Sequence, residues 1–182
     1  ADLTEGLELK RDALAVDIGS NTGVLLGGFK AQGLRVVGVE PADNMAAKAN
    51  EQGLETLNTF FSPQAVQEIV SAHGNASVVT ATNVFAHIDD LAAVTEGVRA
   101  LLAADGVFVF EVSYLLDVYR KTLFDTIYHE HLSYHSARPL PGFLAANGMQ
   151  LIEAERIDVH GGSLRATAQR AGGPHPVGAS VR

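Results

Sequence analysis

Between Phe124 and Ser136 the chain reads Phe124-Asp125-Thr126-Ile127-Tyr128-His129-Glu130-His131-Leu132-Ser133-Tyr134-His135-Ser136. Three of the seven histidines fall here, with Glu130 and two phenols, Tyr128 and Tyr134, between or beside them. An imidazole titrates near pH ~6.5, so it can give or take a proton under working conditions. A neighbouring carboxylate can orient the ring or hold the proton itself, and a phenol can hydrogen-bond an oxyanion. The combination points to acid–base catalysis. A metalloprotease pattern, H-E-x-x-H, fails because Ser133 stands where the second histidine belongs. His131 and His135 are spaced as i, i+4 ligands on one helical face, but a third ligand at a diagnostic spacing is missing, and no metal is assigned. A surface loop with aromatic anchors is the bland alternative. The residue types leave the choice of base between Glu130 and His131 open. His87, in Asn83-Val84-Phe85-Ala86-His87-Ile88-Asp89-Asp90, is a second candidate, set against a histidine that merely packs in a loop.

Acid–base groups need a reagent beside them, and Val16-Asp17-Ile18-Gly19-Ser20-Asn21-Thr22-Gly23 marks where one sits. The apolar run Ala13–Ile18 breaks into a glycine-bounded turn, and a helical pattern starts at Val24. That is a buried parallel strand, a tight loop and a helix, the place where open α/β sheets bind ligands. Gly19 and Gly23 enclose Ser20, Asn21 and Thr22, with no glycine at 21, so the dinucleotide fingerprint G-x-G-x-x-G is absent. This argues against a nicotinamide-dependent oxidoreductase. The acidic residue followed by G-x-x-x-G resembles the first motif of class I S-adenosylmethionine (SAM) methyltransferases. SAM carries an amine, a ribose and a sulfonium but no phosphate, so acidic partners suit it. Glu40-Pro41 ends the next strand, about 20 residues beyond the loop, where an acid can accept both ribose hydroxyls.

Strand and helix patterns alternate along the rest of the chain. Strands are expected at Leu34–Val39, Leu54–Asn58, Ala76–Thr82 and Val107–Val112, after a helical lead-in over Ala1–Asp12. Helices are expected from Val24 to Gly33, from an Asp43 cap to Gly53, over Gln64–Ala72, Leu91–Ala103 and Arg138–Asn147. Gln150–Val159 and Ser163–Arg170 meet at Gly161-Gly162 as a closing hairpin. The expected fold is α/β, Rossmann-like and doubly wound: a mainly parallel seven-stranded sheet with a C-terminal antiparallel hairpin. Residues 1–171 form the domain, and 172–182 have linker composition.

The 182 residues suffice for one α/β core. A net charge of −8 argues against a nucleic-acid surface. No apolar stretch approaches the ~20 residues of a membrane span, residues 1–12 are too charged for a signal peptide, and there is no cysteine. A cytoplasmic location is expected.

Taken together, Val16–Gly23, Glu40-Pro41, Asn83–Ile88, Phe124–His131 and His160-Gly161-Gly162-Ser163-Leu164-Arg165 closely resemble the sugar C-methyltransferases, which act on nucleotide-linked 4-keto-deoxyhexoses in deoxysugar biosynthesis. The resemblance implies that SAM, with S-adenosylhomocysteine (SAH) as product, lies along Gly19, Ser20, Asn21, Gly23, Glu40, Pro41 and Asn83, with Asp17 beneath. It implies that Tyr128, Glu130 and His131, with His87 nearby, remove a proton at C3 of a nucleotide-sugar substrate and deliver the methyl group there. Methylating carbon requires such a step, because a carbon beside a ketone becomes nucleophilic only as its enolate. Two features depart from the family. Thr22 replaces an aspartate that usually follows the loop asparagine. The family's proteins also carry a cysteine-rich zinc domain before the SAM domain and a second α/β domain after it, so zinc and much of the sugar pocket would belong to flanking parts and this chain corresponds to the middle.

Overall fold

The computed structural model describes residues 9–181. Seven strands, β1 (Leu14–Ile18), β2 (Arg35–Val39), β3 (Thr56–Leu57), β4 (Ala76–Thr82), β5 (Leu102–Ser113), β6 (Met149–Ile157) and β7 (Ser163–Arg170), form one sheet in the order β3-β2-β1-β4-β5-β7-β6. The first five are parallel; β7 runs antiparallel between β5 and β6. Six helices connect them: α1 (Val24–Ala31), α2 (Asp43–Glu51), α3 (Pro63–His73), α4 (Leu91–Leu101), α5 (Leu115–Lys121) and α6 (Leu140–Ala146). The mainly parallel, doubly wound sheet with its closing hairpin is the architecture the sequence predicts.

The central strands read as continuous apolar runs because both faces are covered. Along β5, Phe108, Phe110 and Val112 join the larger core with Val66 and Ile69 of α3, Val98 and Leu101 of α4, and Leu140 and Leu144 of α6. The intervening Val107 and Val109 face a smaller cluster with Phe29 of α1. This period of two puts α3, α4 and α6 on one face of β5 and α1 on the other. Phe85 locks the turn after β4 onto the sheet, its ring centroid 6.0 Å from Phe108 and 4.9 Å from Phe110. Such aromatic contacts add about 0.5–1.5 kcal/mol each beyond their buried area.

Several boundaries differ from the sequence reading. The third strand shortens to Thr56–Leu57 because Leu54 N–H closes α2 on Ala49 O and the Asn58 amide turns to Glu40 O and Pro41 O. Asp43 is not a cap but the first residue of α2; Ala42 occupies the cap position without a side-chain bond. Its charge still suits the helix dipole. The helix expected from Arg138 starts at Leu140, since prolines at 139 and 141 fit only a cap or a first turn. The fifth strand begins at Leu102, with Asp105-Gly106 inside an irregular pairing against Ala76–Val78 rather than before the strand. Of the lead-in expected over Ala1–Asp12, residues 1–8 lie outside the described part, and Leu9–Asp12 is loop and turn. The tail folds back along β6: Gly178 N–H reaches Ile152 O, Ser180 Oγ accepts from Ala154 N–H, and Val181 packs on the core. Among the described residues no helix is long and apolar enough to cross a membrane.

One acid sits inside the central strand. Asp17 is 5% exposed and accepts a 2.6 Å hydrogen bond from Thr80 Oγ1 of β4. Burial pushes its carboxyl up to about 7; the Thr80 bond opposes this and the nearby Glu40 charge adds to it. In the unfolded chain the group loses its proton near 3.8. Between these values the folded state holds a proton that the unfolded state has released, so stability falls as pH rises from about 4 through about 7. Asp17→Asn removes this term. Its melting temperature should gain on wild type as pH is raised across that window; a constant difference between the two proteins would show that Asp17 titrates normally.

Candidate active site

At the carboxyl ends of β1 and β2 the backbone is tied into a tight frame. Gly19 N–H and Ser20 N–H both donate to Val39 O, at 2.8 and 3.3 Å. Glu40, 7% exposed, is held by two backbone donors: Asn21 N–H to Oε2 and Ala42 N–H to Oε1, each 2.8 Å. An ionised carboxylate offers about four lone-pair positions, so these bonds fix its orientation and leave acceptor capacity at the rim. Gly19 has φ +68°, and a Cβ there would collide with Val84 of the β4 turn. The glycine thus lets the two loops touch. Asn21 (φ 51°) and Asn83 (φ 55°) take the left-handed conformation at the tips of β1 and β4, and Asn83 N–H is anchored on Glu111 O at 2.8 Å.

The histidine segment lies against the β4 turn. Leu132 N–H and Ser133 N–H both donate to Ala86 O, at 3.0 and 3.2 Å. This brings His131 against His87, with ring centroids 4.9 Å apart. His131 Nδ1 lies 2.7 Å from Thr126 O; a carbonyl can only accept, so Nδ1 carries a proton. In the neutral ring Nε2 is then the acceptor, and Tyr128 O–H donates to it over 3.2 Å. Tyr134 O–H donates to the same Thr126 carbonyl at 2.9 Å. His87 is pushed below the usual imidazole range by burial and by His131, with Glu130 pulling the other way.

Gly19, Asn21, Glu40, Pro41, Asn83, His87 and Glu130 wall a single cleft of about 1010 Å³. The glycine loop and the histidine segment, over 100 positions apart in the chain, therefore face one space. Tyr128 and His131 stand behind His87, and the His131 nitrogens are both engaged. Asp17 and Ser20 line an adjoining cleft of about 450 Å³ instead. Gly23 caps α1, and its missing side chain leaves room for Leu54. The other two histidines of the segment separate. His129 has a side chain 90% exposed, while His135 is buried against Phe85, with Nε2 2.9 Å from Ser133 Oγ. Residues 131–134 are irregular, so His131 and His135 do not share a helical face. Two wall residues, Phe60 and Phe61, escape the sequence reading. Their signal is an aromatic pair immediately after β3, at the same sheet edge as Glu40.

The His160–Arg165 block works at a distance from this cleft. Asp117 of α5 is buried and paired bidentately with Arg156, by bonds of 2.6 and 2.5 Å. Gly162 leaves room for that carboxylate, and its carbonyl accepts Tyr114 N–H at 3.0 Å. The hairpin thereby fixes α5, the element from which the Phe124–Ser136 segment departs.

The donor set suits an adenosine cofactor: a braced acid at the tip of β2, a flat apolar wall from Phe60 and Phe61, and a buried, unpartnered hydroxyl, Ser20 Oγ, beside the glycine loop. Comparison with known proteins gives the same assignment. C-methyltransferase NovU from Streptomyces niveus is 42% identical over 97% of this chain, which spans only 42% of the length of NovU. Magnesium protoporphyrin IX methyltransferase of Synechocystis PCC 6803, solved with SAH, superposes with a TM-score of 0.66 over 88% of this chain and 75% of its own, at 15% identity. A SAM-dependent methyltransferase from Anabaena variabilis gives 0.70 over 91% and 80%, at 13% identity. At such identities the solved structures share the fold. The family model described as "Methyltransferase domain" matches residues 2–154. The chain belongs to that family of methyltransferase domains, whose methyl donor is SAM.

Proposed function

We propose that this chain is the donor-binding and proton-transferring domain of a SAM-dependent C-methyltransferase acting on a carbon beside a ketone, with C3 of a nucleotide-linked 4-keto-deoxysugar as the preferred substrate position. The observation that carries this reading is the single cleft walled by Glu40 and Gly19 at one end and by His87 and Glu130 at the other. The similarity to NovU, a C-methyltransferase, supports methylation at carbon. The sugar comes from the resemblance of Tyr128-x-Glu130-His131 and His160–Arg165 to the sugar enzymes, and from a cleft large enough to admit more than the donor.

When bound, SAM supplies an electrophilic methyl group on a sulfonium. The chain supplies the rest. Glu40 receives the ribose hydroxyls, Asn21 and Asn83 line the passage between the β1 and β4 tips, and Phe60 and Phe61 give the purine an apolar wall. Glu130 is the proton acceptor at carbon: its carboxylate lines the cleft, whereas both His131 nitrogens are occupied. His87, on the same wall, faces the developing enolate oxygen as a hydrogen-bond donor, and Tyr128, whose O–H is spent on His131 Nε2, supports it from behind with His131.

SAH should raise the melting temperature by mass action, and Glu40→Ala should abolish most of that shift. In a protein carrying whatever flanking segments the substrate requires, Glu130→Gln should lower C-methyl product formation by about 10²–10⁴-fold with SAH affinity unchanged. Normal turnover in Glu130→Gln would remove the base assignment, and no thermal shift with saturating SAH would remove the cofactor reading. The lowered proton affinity of His87 has its own check. Its imidazole should titrate below the ordinary value in an NMR pH series, and lower still in Glu130→Gln, where the opposing charge is gone.

A further inference from the structure

The loop that carries Tyr128, Glu130 and His131 is closed by a side chain that stands outside the reaction cleft. Tyr134 O–H donates to Thr126 O over 2.9 Å, eight residues back, and so joins the two ends of the loop. Thr126 belongs to a single helical turn, Phe124–Thr126, where its Oγ1–H donates to Leu123 O at 2.8 Å. The same Thr126 carbonyl takes the His131 Nδ1 proton at 2.7 Å. A carbonyl has two lone pairs, and these two donors fill both. The His131 and Tyr134 rings meet edge-on, with centroids 5.9 Å apart and planes 80° apart. Tyr134 does not line the cleft of about 1010 Å³; its ring lines an apolar cleft of about 700 Å³ with Leu115, Leu123, Phe124 and Ile127. It therefore stands behind His131, away from the reacting atoms.

We propose that Tyr134 is a positioning residue, whose hydroxyl latches the Thr126 carbonyl and thereby keeps the His131 proton on Nδ1. This rests on the acid–base reading of the segment. Which nitrogen of an imidazole carries the proton is set by the hydrogen bond that the other nitrogen makes. With the proton on Nδ1, Nε2 is an acceptor and the Tyr128 O–H points at it across their 3.2 Å contact. With the proton on Nε2, two donors would meet there, and the Tyr128 O–H would have to turn away. The latch thus fixes the direction of both side chains that stand behind His87. Loss of the Tyr134 hydroxyl frees one lone pair for water and lets the carbonyl swing away from Nδ1. No other tie takes over: His131 N–H goes to Tyr128 O, and Leu132 N–H and Ser133 N–H go to Ala86 O, so none of these backbone bonds reaches the Thr126 carbonyl.

The test reads the His131 ring nitrogens by NMR on the full chain, above pH ~8, where an ordinary imidazole is neutral. In the wild type Nδ1 should give the protonated signal and Nε2 the unprotonated one. Tyr134→Phe keeps the ring and loses only the hydroxyl; there the two signals should move toward each other as both tautomers become populated. In a protein carrying whatever flanking segments the substrate requires, Tyr134→Phe should lower kcat for C-methyl transfer about tenfold and leave the KM for SAM within about twofold. In a His131→Asn background the same change should cost nothing further. Unmoved ring signals or an unchanged kcat in Tyr134→Phe would overturn the proposal, and losses confined to Tyr134→Leu would reduce Tyr134 to packing. A full second loss in the His131→Asn background would overturn it too, because Tyr134 would then not act through His131. A wild-type protein that makes no C-methyl product would overturn the acid–base reading instead, while the ring signals still decide the latch.

Discussion

One carbonyl sets where the proposed acid–base groups lie. Ala86 O accepts hydrogen bonds from the backbone N–H groups of Leu132 and Ser133, and this bifurcated contact lays the histidine segment across the turn after β4. Without it, the sheet, the glycine loop and the Glu40 brace would all persist, but Glu130 would have no reason to face them. The bond is dependable because its acceptor is immobile: Phe85, next to Ala86, is fully buried among Phe108 and Phe110. An apolar layer inside the core thus sets the position of a polar site at the surface.

A second brace works from the opposite side of the segment. The Asp117–Arg156 pair, the space at Gly162 and the Lys121 contact to Gly161 O clamp α5 onto the β6–β7 hairpin. Leu115 N–H and His135 O then join the start of α5 to the far end of the segment. A stretch with little regular structure of its own is held at both ends and in the middle. This explains how residues with exposed side chains, such as Glu130 at 58%, can present a defined geometry. It also gives the His160–Arg165 block a structural task.

The fold was legible in the sequence because its signals are local. Apolar runs ending in glycine, and an acid at the tip of the second strand, are read without knowing any long-range contact. The chemistry of the segment was legible only as a composition. The three histidines look alike in sequence, yet one is immersed beside Phe85, one projects into solvent and one is locked by Thr126 O and Tyr128. What separates them is a local turn that sets Thr126 O and Tyr128 around His131, together with contacts to Phe85 and Ala86 more than forty residues upstream, and no spacing rule carries either. Phe60 and Phe61 escape the sequence reading for a related reason: an aromatic pair in a loop acquires meaning only beside a strand tip that holds Glu40. Asp17 and Ser20 line the separate cleft together, Asp17 from within β1 and Ser20 from the glycine loop beyond it, a grouping that no strand periodicity announces.

The central claim is that donor and acid–base groups share one space, and SAH titration followed through the histidine side-chain NMR signals tests it most directly. The His87 resonances should shift and saturate together with the binding isotherm, while His73 and His160, outside the lining of the cleft, stay in place. Saturable SAH binding with the His87 signals unmoved would contradict the account.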